Sequence, residues 1–170
     1  MNEKLDLNRI IFYALYNAAN KNEILKKTAL TLSRGAELFF FIIYGIGALM
    51  IFASGKYLML AKYLIIPFLT LCYNTFLRKM LKRPRPFVKE ENVISLRGHK
   101  KSYSCPSNHA ASAAVIAMAW YCIYPPAVLV LMIPAFFTGL SRMMTGEHYP
   151  FDVALGWTIG IIAGILGFVI

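Results

Sequence analysis

The feature that most constrains this chain is a series of long apolar segments, each close to the length that crosses a bilayer. A membrane-spanning helix needs about 20 mostly apolar residues. The segments of this kind are 36–54, 57–76, 109–124, 127–141 and 152–170. Hydrophobic residues make up 58% of the chain and charged residues 15%, against roughly 45–50% and about 25% in soluble domains. The sequence therefore predicts an all-α integral membrane bundle of about five transmembrane helices.

The first 35 residues follow a different pattern. Apolar residues recur there at helical spacing between polar ones, namely Ile10, Ile11, Ala14, Leu15 and Ala18. Such a pattern is typical of an amphipathic helix that lies in the membrane interface, and 24–32 reads as a second piece of this kind. The alternative is an arm that packs on the bundle. The sequence thus predicts an interfacial arm at 1–35 and a transmembrane domain at 36–170.

Cysteine content and charge exclude several classes of protein. Cys72, Cys105 and Cys122 are too few for a disulfide scaffold and lack the paired spacing of a zinc site. The net charge is +10, but the basic residues lie between apolar segments rather than on a soluble face. Their distribution argues against a nucleic-acid partner. A membrane protein that works beside anionic phosphate groups fits better. The sequence also offers no cluster of carboxylates for a metal, so neither metal nor cofactor is expected.

The connection 77–108 is the longest in the chain and carries half of its 18 lysines and arginines. Connections longer than about 12–15 residues are usually functional or disordered. Its first part contains Arg78, Lys79, Arg83 and Arg85, and prolines follow the last two. Proline stiffens the backbone, and a stiff backbone suits guanidinium groups that bind phosphate in a bidentate manner. The alternative is a basic patch that touches lipid headgroups.

A second polar cluster, 105–109, opens an apolar helix. Ser107 or Asn108 is a natural N-cap, and simple capping is one interpretation. The other is functional, because a helix N-terminus has free N–H groups and a positive dipole end that favour an anion. His109 beside them is placed to protonate an oxyanion.

The third cluster, 141–152, joins the last two apolar segments. His148 and Asp152 are four residues apart, so a helical turn would place them side by side. A carboxylate that holds one ring nitrogen leaves the other free as a nucleophile or base. Arg142 lies in the same cluster. The topology puts all three clusters at one membrane surface, and a cavity of several arginines and two histidines points to a phosphate ester.

The three clusters resemble, in order, the three signatures of the type 2 phosphatidic acid phosphatase superfamily. They are Arg83-Pro84-Arg85-Pro86, then Pro106-Ser107-Asn108-His109, then Ser141-Arg142 followed by His148 and Asp152. Asn108 stands where the second signature usually has glycine, and Arg78 stands where the first begins with lysine, with Lys79 adjacent. The resemblance covers about residues 36–170.

The resemblance implies a mechanism. His148 would attack phosphorus and become a transient phosphohistidine, oriented by Asp152. His109 would protonate the leaving oxygen and then deprotonate the attacking water. The phosphoryl oxygens would be held by Arg78, Arg85, Arg142, Ser107 and the amides around Asn108, with Lys79 and Arg83 as secondary candidates. No metal takes part.

The resemblance also implies a membrane lipid phosphate as substrate. Undecaprenyl pyrophosphate is expected first, because a short chain with an interfacial arm is similar to the small bacterial enzymes that hydrolyse it. Phosphatidylglycerophosphate and phosphatidate are alternatives, as is a soluble phosphate ester. A non-enzymatic lipid-binding protein on the same scaffold is the alternative from another class.

The expected location is the cell membrane, with the site on the extracytoplasmic face as in similar family members. The positive-inside rule favours the opposite orientation. The arm and the long connection carry many basic residues on the site's side, and the other side has little beyond Lys56.

Overall fold

A computed structural model describes residues 6–98 and 102–170, which form a helical bundle. The α-helices are α1 Leu7–Lys21, α2 Glu23–Ala53, α3 Tyr57–Leu81, α4 Pro86–Lys89, α5 Asn108–Ala119, α6 Ala127–Met144 and α7 Pro150–Gly164. A 3₁₀ turn, Trp120–Cys122, follows α5, and a π-helical turn, Ile165–Val169, extends α7. The predicted all-α membrane bundle is confirmed.

Four helices in the described parts of the chain are long and apolar enough to cross a membrane: α2, α3, α6 and α7 with its extension. The remaining predicted segment, 109–124, forms the shorter α5 of 12 residues and the turn after it. The reason lies in its surroundings. Eight of the 12 residues of α5 are buried, and six of these are alanine, so α5 lies inside the bundle.

Small residues let α5 and α7 approach each other closely, as is usual between helices in membranes. A Cβ added to Gly156 would lie 2.6 Å from the carbonyl oxygen of Ser107, and one added to Gly160 would clash with the carbonyl oxygen of Ala111. Because Ser107 precedes α5, this contact fixes the start of α5 against the first turns of α7.

The N-terminal arm is organised differently from the prediction. Residues 24–32 are not a separate piece but the first turns of α2, which begins at Glu23 after an Asn22 cap. One face of α1 packs on the bundle through Phe12 and Tyr16, which are buried, as the packed-arm alternative requires. Its other face exposes three apolar side chains, Leu7, Ile10 and Ile11. A membrane-interface position for that face stays a prediction.

The connection between α3 and α5 runs across one end of the bundle. It is tied down by main-chain hydrogen bonds, from Ser104 N to the Arg83 oxygen (2.8 Å) and from Leu96 N to the Thr145 oxygen (3.1 Å). These bonds join the connection to itself and to the end of α6. The described parts of the connection, 82–98 and 102–107, therefore lie over the end of α6 and the starts of α5 and α7.

Candidate active site

The three predicted clusters meet at one end of the bundle. Arg83 Nη1 donates to Asp152 Oδ1 at 2.8 Å, which joins the first cluster to the third. Arg78 donates through Nε and Nη2 to the Pro106 carbonyl oxygen, at 3.1 and 2.7 Å, which joins the first to the second. Ser107 N donates to the Asp152 main-chain oxygen at 2.9 Å. The residues are thus in mutual contact, as the topology predicted.

His148 and Asp152 are neighbours, but they are not hydrogen-bonded. The distance from His148 Nδ1 to Asp152 Oδ2 is 3.9 Å. Both carboxylate oxygens have other donors: Oδ2 accepts from Tyr149 N at 2.9 Å, and Oδ1 accepts from Arg83. Asp152 sits in the first turn of α7 as part of a capping box. The predicted proximity is present, and the predicted orienting hydrogen bond is absent.

The surroundings of His148 favour the neutral imidazole. Its side chain is 1% exposed, and within the described parts of the chain Nδ1 has no hydrogen-bond partner. Burial lowers the pKa of His148 well below its usual value, and the positive charges of Arg85 and Arg78 lower it further. A neutral ring keeps a lone pair free, which is what a nucleophile needs.

Arg85 is held in place by an acidic partner. Its Nη1 lies 2.6 Å from Glu147 Oε2, and its Nε donates to Ser102 Oγ at 2.9 Å. Ser95 Oγ donates to the other oxygen of Glu147. Burial lowers the pKa of Arg85, and the charge of Glu147 opposes that shift. No spacing in the sequence predicted a role for Glu147, whose charge beside Arg85 favours the ionised form of the buried guanidinium.

Arg78 and Lys79 have opposite positions. Arg78 turns inward to the Pro106 carbonyl oxygen, whereas Lys79 is exposed. Of the two basic residues, Arg78 is the one in contact with the start of α5. Arg83, a secondary candidate, binds Asp152 and lies over the Tyr149 ring, 4.7 Å from its centre. It supports the carboxylate beside His148.

The start of α5 has the predicted cap. Ser107 Oγ accepts from Ala110 N at 3.4 Å. The Asn108 side chain points towards α3, where it accepts from Asn74 Nδ2 at 2.5 Å and donates to Thr75 Oγ1 at 3.1 Å. What Asn108 offers an anion is therefore its main-chain amide rather than its side chain.

His109 and Arg142 share a carboxylate that the sequence analysis assigned to no site. Glu37 Oε1 lies 2.8 Å from His109 Nε2 and 2.6 Å from Arg142 Nη2. Arg97 Nη1 lies 2.7 Å from the same oxygen. The sequence signal for Glu37 was its position as the only charged residue of the apolar segment 36–54. Arg97 gave no signal, because it is one of many basic residues in the long connection.

A further carboxylate, Glu90, connects the arm to the site. It accepts from Arg9 Nη2 at 2.6 Å, from the Tyr13 hydroxyl at 2.8 Å and from the Tyr149 hydroxyl at 2.8 Å. Burial raises the pKa of Glu90, but the hydrogen bonds from Tyr149, Tyr13 and Arg9 outweigh it, and the net pKa is lowered. The residue next to His148 is thereby held by α1 through an ionised carboxylate.

The arrangement suits a bound oxyanion. Arg142 is 1% exposed, and its Nε and Nη1 have no hydrogen-bond partner among the residues that the structure describes. A buried guanidinium group normally has all its N–H groups satisfied, so two donors remain for a ligand. The described residues contain no group of three or more His, Cys, Asp or Glu placed to hold a metal. The positive charge described at this site comes from arginine side chains.

Known proteins support this interpretation. The family model of the PAP2 superfamily matches residues 59–170. Undecaprenyl-diphosphatase BcrC of Bacillus subtilis is 29% identical over 95% of this chain and 83% of its own length. Lipid A 4'-phosphatase of Bacteroides thetaiotaomicron is 32% identical over 61% of this chain, which spans 49% of that protein. The crystal structure of Aquifex aeolicus LpxE has the same fold, with a TM-score of 0.79 at 24% identity over 99% of this chain and 98% of that one. The chain belongs to the PAP2 superfamily of membrane lipid phosphatases.

Proposed function

We propose that this membrane phosphatase hydrolyses undecaprenyl pyrophosphate to undecaprenyl phosphate through a phosphohistidine on His148. The observation that carries the proposal is the meeting of a buried, neutral His148 with Arg78, Arg85 and Arg142 at one end of an apolar bundle. The similarity to an undecaprenyl-diphosphatase, which extends over nearly the whole chain, supports the choice of lipid.

In the proposed first step, Nε2 of His148, the ring nitrogen away from Asp152, attacks phosphorus and displaces the lipid-bearing oxygen. His109 gives its proton to that oxygen. In the second step, His109 takes a proton from water as the water oxygen displaces His148. The arginines and the amides at the start of α5 stabilise the charge that develops on the phosphoryl oxygens. Asp152, held by Arg83 and Tyr149 N, supports the positive charge on the His148 ring.

An apolar cleft next to His109 favours a lipid leaving group. The cleft has a volume of about 210 Å³ and lies between α2 and α5. Its walls include Phe40, Tyr44 and Ile116, and its polar end is formed by Glu37 and His109. A substrate whose apolar chain lies in this cleft would present its ester or anhydride oxygen to His109.

Turnover of a substrate panel by the purified protein in detergent tests the proposal. The panel contains undecaprenyl pyrophosphate, phosphatidate, phosphatidylglycerophosphate and a soluble phosphate ester. We expect the highest kcat/KM for undecaprenyl pyrophosphate, and full activity in excess chelator. Loss of activity with EDTA that Mg²⁺ restores would contradict the metal-free mechanism.

The similarity to lipid A phosphatases makes a phosphorylated glycolipid the second candidate substrate. Lipid A belongs in the same panel for this reason. A kcat/KM for lipid A above that for undecaprenyl pyrophosphate would change the assigned substrate and leave the phosphohistidine mechanism intact.

We also propose that the site faces the extracytoplasmic side of the cell membrane. The test is labelling of single cysteines in intact cells with a membrane-impermeant maleimide, in a background without the native cysteines. Glu91→Cys lies in the connection over the site, and Lys56→Cys lies at the opposite end, and both positions are exposed. Labelling of position 91 and protection of position 56 is expected, and the reverse would show a cytoplasmic site.

A further inference from the structure

Glu37 is a carboxylate within a helix that is otherwise suited to cross the membrane. It lies in the interior of α2, whose apolar stretch contains few charges. Ionisable residues in such helices are costly and are normally paired or functional. Here one oxygen, Oε1, contacts three cationic or titratable groups at once: His109 Nε2, Arg142 Nη2 and Arg97 Nη1.

Glu37 contacts one nitrogen atom each of Arg142 and His109. Arg142 Nη2 is held by Glu37 and by the Ser33 carbonyl oxygen at 3.0 Å, one turn earlier on α2. Nε and Nη1 of Arg142 remain without a partner. Glu37 contacts His109 at Nε2, the ring nitrogen opposite Nδ1.

The charge around His109 explains why it needs a carboxylate. The charged and titratable groups that act on His109 are Glu37 from α2, Arg97 from the long connection, Arg142 from α6 and His148 from the connection after α6. Other charged residues at the same end of the bundle are Arg78, Arg83, Arg85, Glu90, Glu147 and Asp152. A general acid must carry its proton before it can donate it. Arginines beside an imidazole disfavour protonation, and a carboxylate in contact favours it.

We propose that Glu37 is a positioning residue for the acid step: its carboxylate accepts the Nε2–H of His109, which directs the transferable proton to Nδ1 and favours the protonated ring against the nearby arginines. The proposal rests on the proposed function, in which His109 is the acid. As the bond from His148 to phosphorus forms and the bond to the leaving oxygen breaks, the Nδ1 proton moves to that oxygen. Nδ1 then regains a proton from the attacking water, whose oxygen bonds to phosphorus as the bond to His148 breaks.

The primary test is the pH dependence of kcat for Glu37→Gln on two lipids. Phosphatidate has an alcohol leaving group that needs the proton, whereas undecaprenyl pyrophosphate has a more acidic phosphate leaving group. At neutral pH we expect a loss of about 10- to 100-fold on phosphatidate and a much smaller loss on the pyrophosphate. The loss stays below the roughly 10²- to 10⁴-fold that general acid catalysis contributes, because His109 itself is still present. The basic limb of the phosphatidate profile should move to lower pH, because the protonated form of His109 has lost its carboxylate.

The matched control is Glu23→Gln. Glu23 lies in the first turn of the same helix, its side chain is 74% exposed, and its ion partner is Lys26 at 3.4 Å. This variant should keep wild-type kcat on both lipids and an unchanged pH profile. Glu37→Asp, which keeps the charge on a shorter side chain, should restore part of the phosphatidate activity, and it replaces Glu37→Gln if that variant does not fold.

A double variant separates positioning from general structural support. If Glu37 acts through His109, then Glu37→Gln should cost little further activity in a His109→Ala background. Equal losses of Glu37→Gln on both lipids with an unmoved pH profile, or additive losses in the double variant, would overturn the proposal.

The proposed function and the role of Glu37 can fail separately. Activity in His148→Ala would refute the phosphohistidine mechanism, whatever Glu37 does. An inactive His148→Ala with a Glu37→Gln that behaves like wild type would refute the role of Glu37 alone.

Discussion

The two histidines of the site have different surroundings, and the difference separates two kinds of chemistry. His148 is 1% exposed and lies 3.9 Å from a carboxylate four residues away. His109 is 36% exposed and lies 2.8 Å from a carboxylate that α2 supplies. His148 is enclosed by arginines and polar side chains, whereas His109 borders an apolar cleft. An enclosed, neutral imidazole suits attack on phosphorus, and an imidazole at the border of a lipid cleft suits proton exchange with a leaving group.

The largest effect should come from His148. We expect His148→Ala to lose activity by about 10⁴-fold or more on every substrate, because no other residue in the site forms the bond to phosphorus. The measurements are single-turnover phosphate release and trapping of the acid-labile phosphoenzyme. Lys56→Ala, at the opposite end of the bundle, should behave like wild type. Substantial turnover in His148→Ala would remove the distinction between the two histidines.

A second effect should come from His109 and should depend on the substrate. His109→Ala removes the acid and leaves the nucleophile, so we expect a loss of about 10²- to 10⁴-fold on phosphatidate. The loss on undecaprenyl pyrophosphate should be smaller, since its leaving group needs less help. Single-turnover rates on both lipids provide the measurement. Equal losses on the two substrates would argue that His109 binds phosphate rather than donating a proton.

Asp152→Asn should fall between these two variants. The amide removes the negative charge beside His148 and weakens the bond from Arg83, but it keeps the imidazole in place. Because Asp152 also accepts from Tyr149 N at the start of α7, thermal unfolding of the variant must be measured with its kcat. If Asp152→Asn keeps wild-type kcat, the carboxylate of Asp152, 3.9 Å from His148, does not contribute to catalysis.

A smaller and more local effect should distinguish Arg78 from Lys79. Arg78→Ala should lower kcat/KM by about 10- to 100-fold, because a hydrogen bond to a charged group is worth about 1.5–3 kcal/mol. Lys79→Ala should have little effect, since Lys79 is exposed. The two variants remove one positive charge each from adjacent positions, and kcat/KM on undecaprenyl pyrophosphate compares them. Similar losses would mean that charge near the membrane matters more than the contact with the start of α5.

The parts of the site that sequence could predict are those set by short-range spacing. Four residues separate His148 from Asp152, and Ser107 directly precedes an apolar helix, so helical geometry places both. The apolar segments likewise predicted the helices that cross the membrane. Even so, spacing predicted proximity and missed the hydrogen bonds, because Asp152 is taken by Tyr149 N and Arg83.

What sequence missed depends on how helices pack. Glu37 reaches His109 because α2 lies against α5 and α6, and no local pattern contains that information. The helix α2 begins at Glu23, but the composition changes from polar to apolar near residue 35. The sequence pattern therefore predicted a boundary there instead of one continuous helix. The short α5 was predicted as a longer span because buried alanines and lipid-facing residues are equally apolar in sequence.

The smallest predicted effect concerns stability and follows from the lowered pKa of His148. The folded protein resists protonation of this ring, whereas an unfolded chain takes up the proton near pH 6.5. Acidification below that value therefore favours unfolding through this residue, by at most about 1.4 kcal/mol for each pH unit. In detergent, His148→Asn should lose less thermal stability than wild type between pH 7.5 and 5.5. Lys56→Gln, which removes a group that does not titrate in this range, should follow wild type. If the thermal stability of His148→Asn falls as steeply as that of wild type, His148 accepts a proton in the folded state. His148 would then not be the neutral nucleophile that distinguishes it from His109.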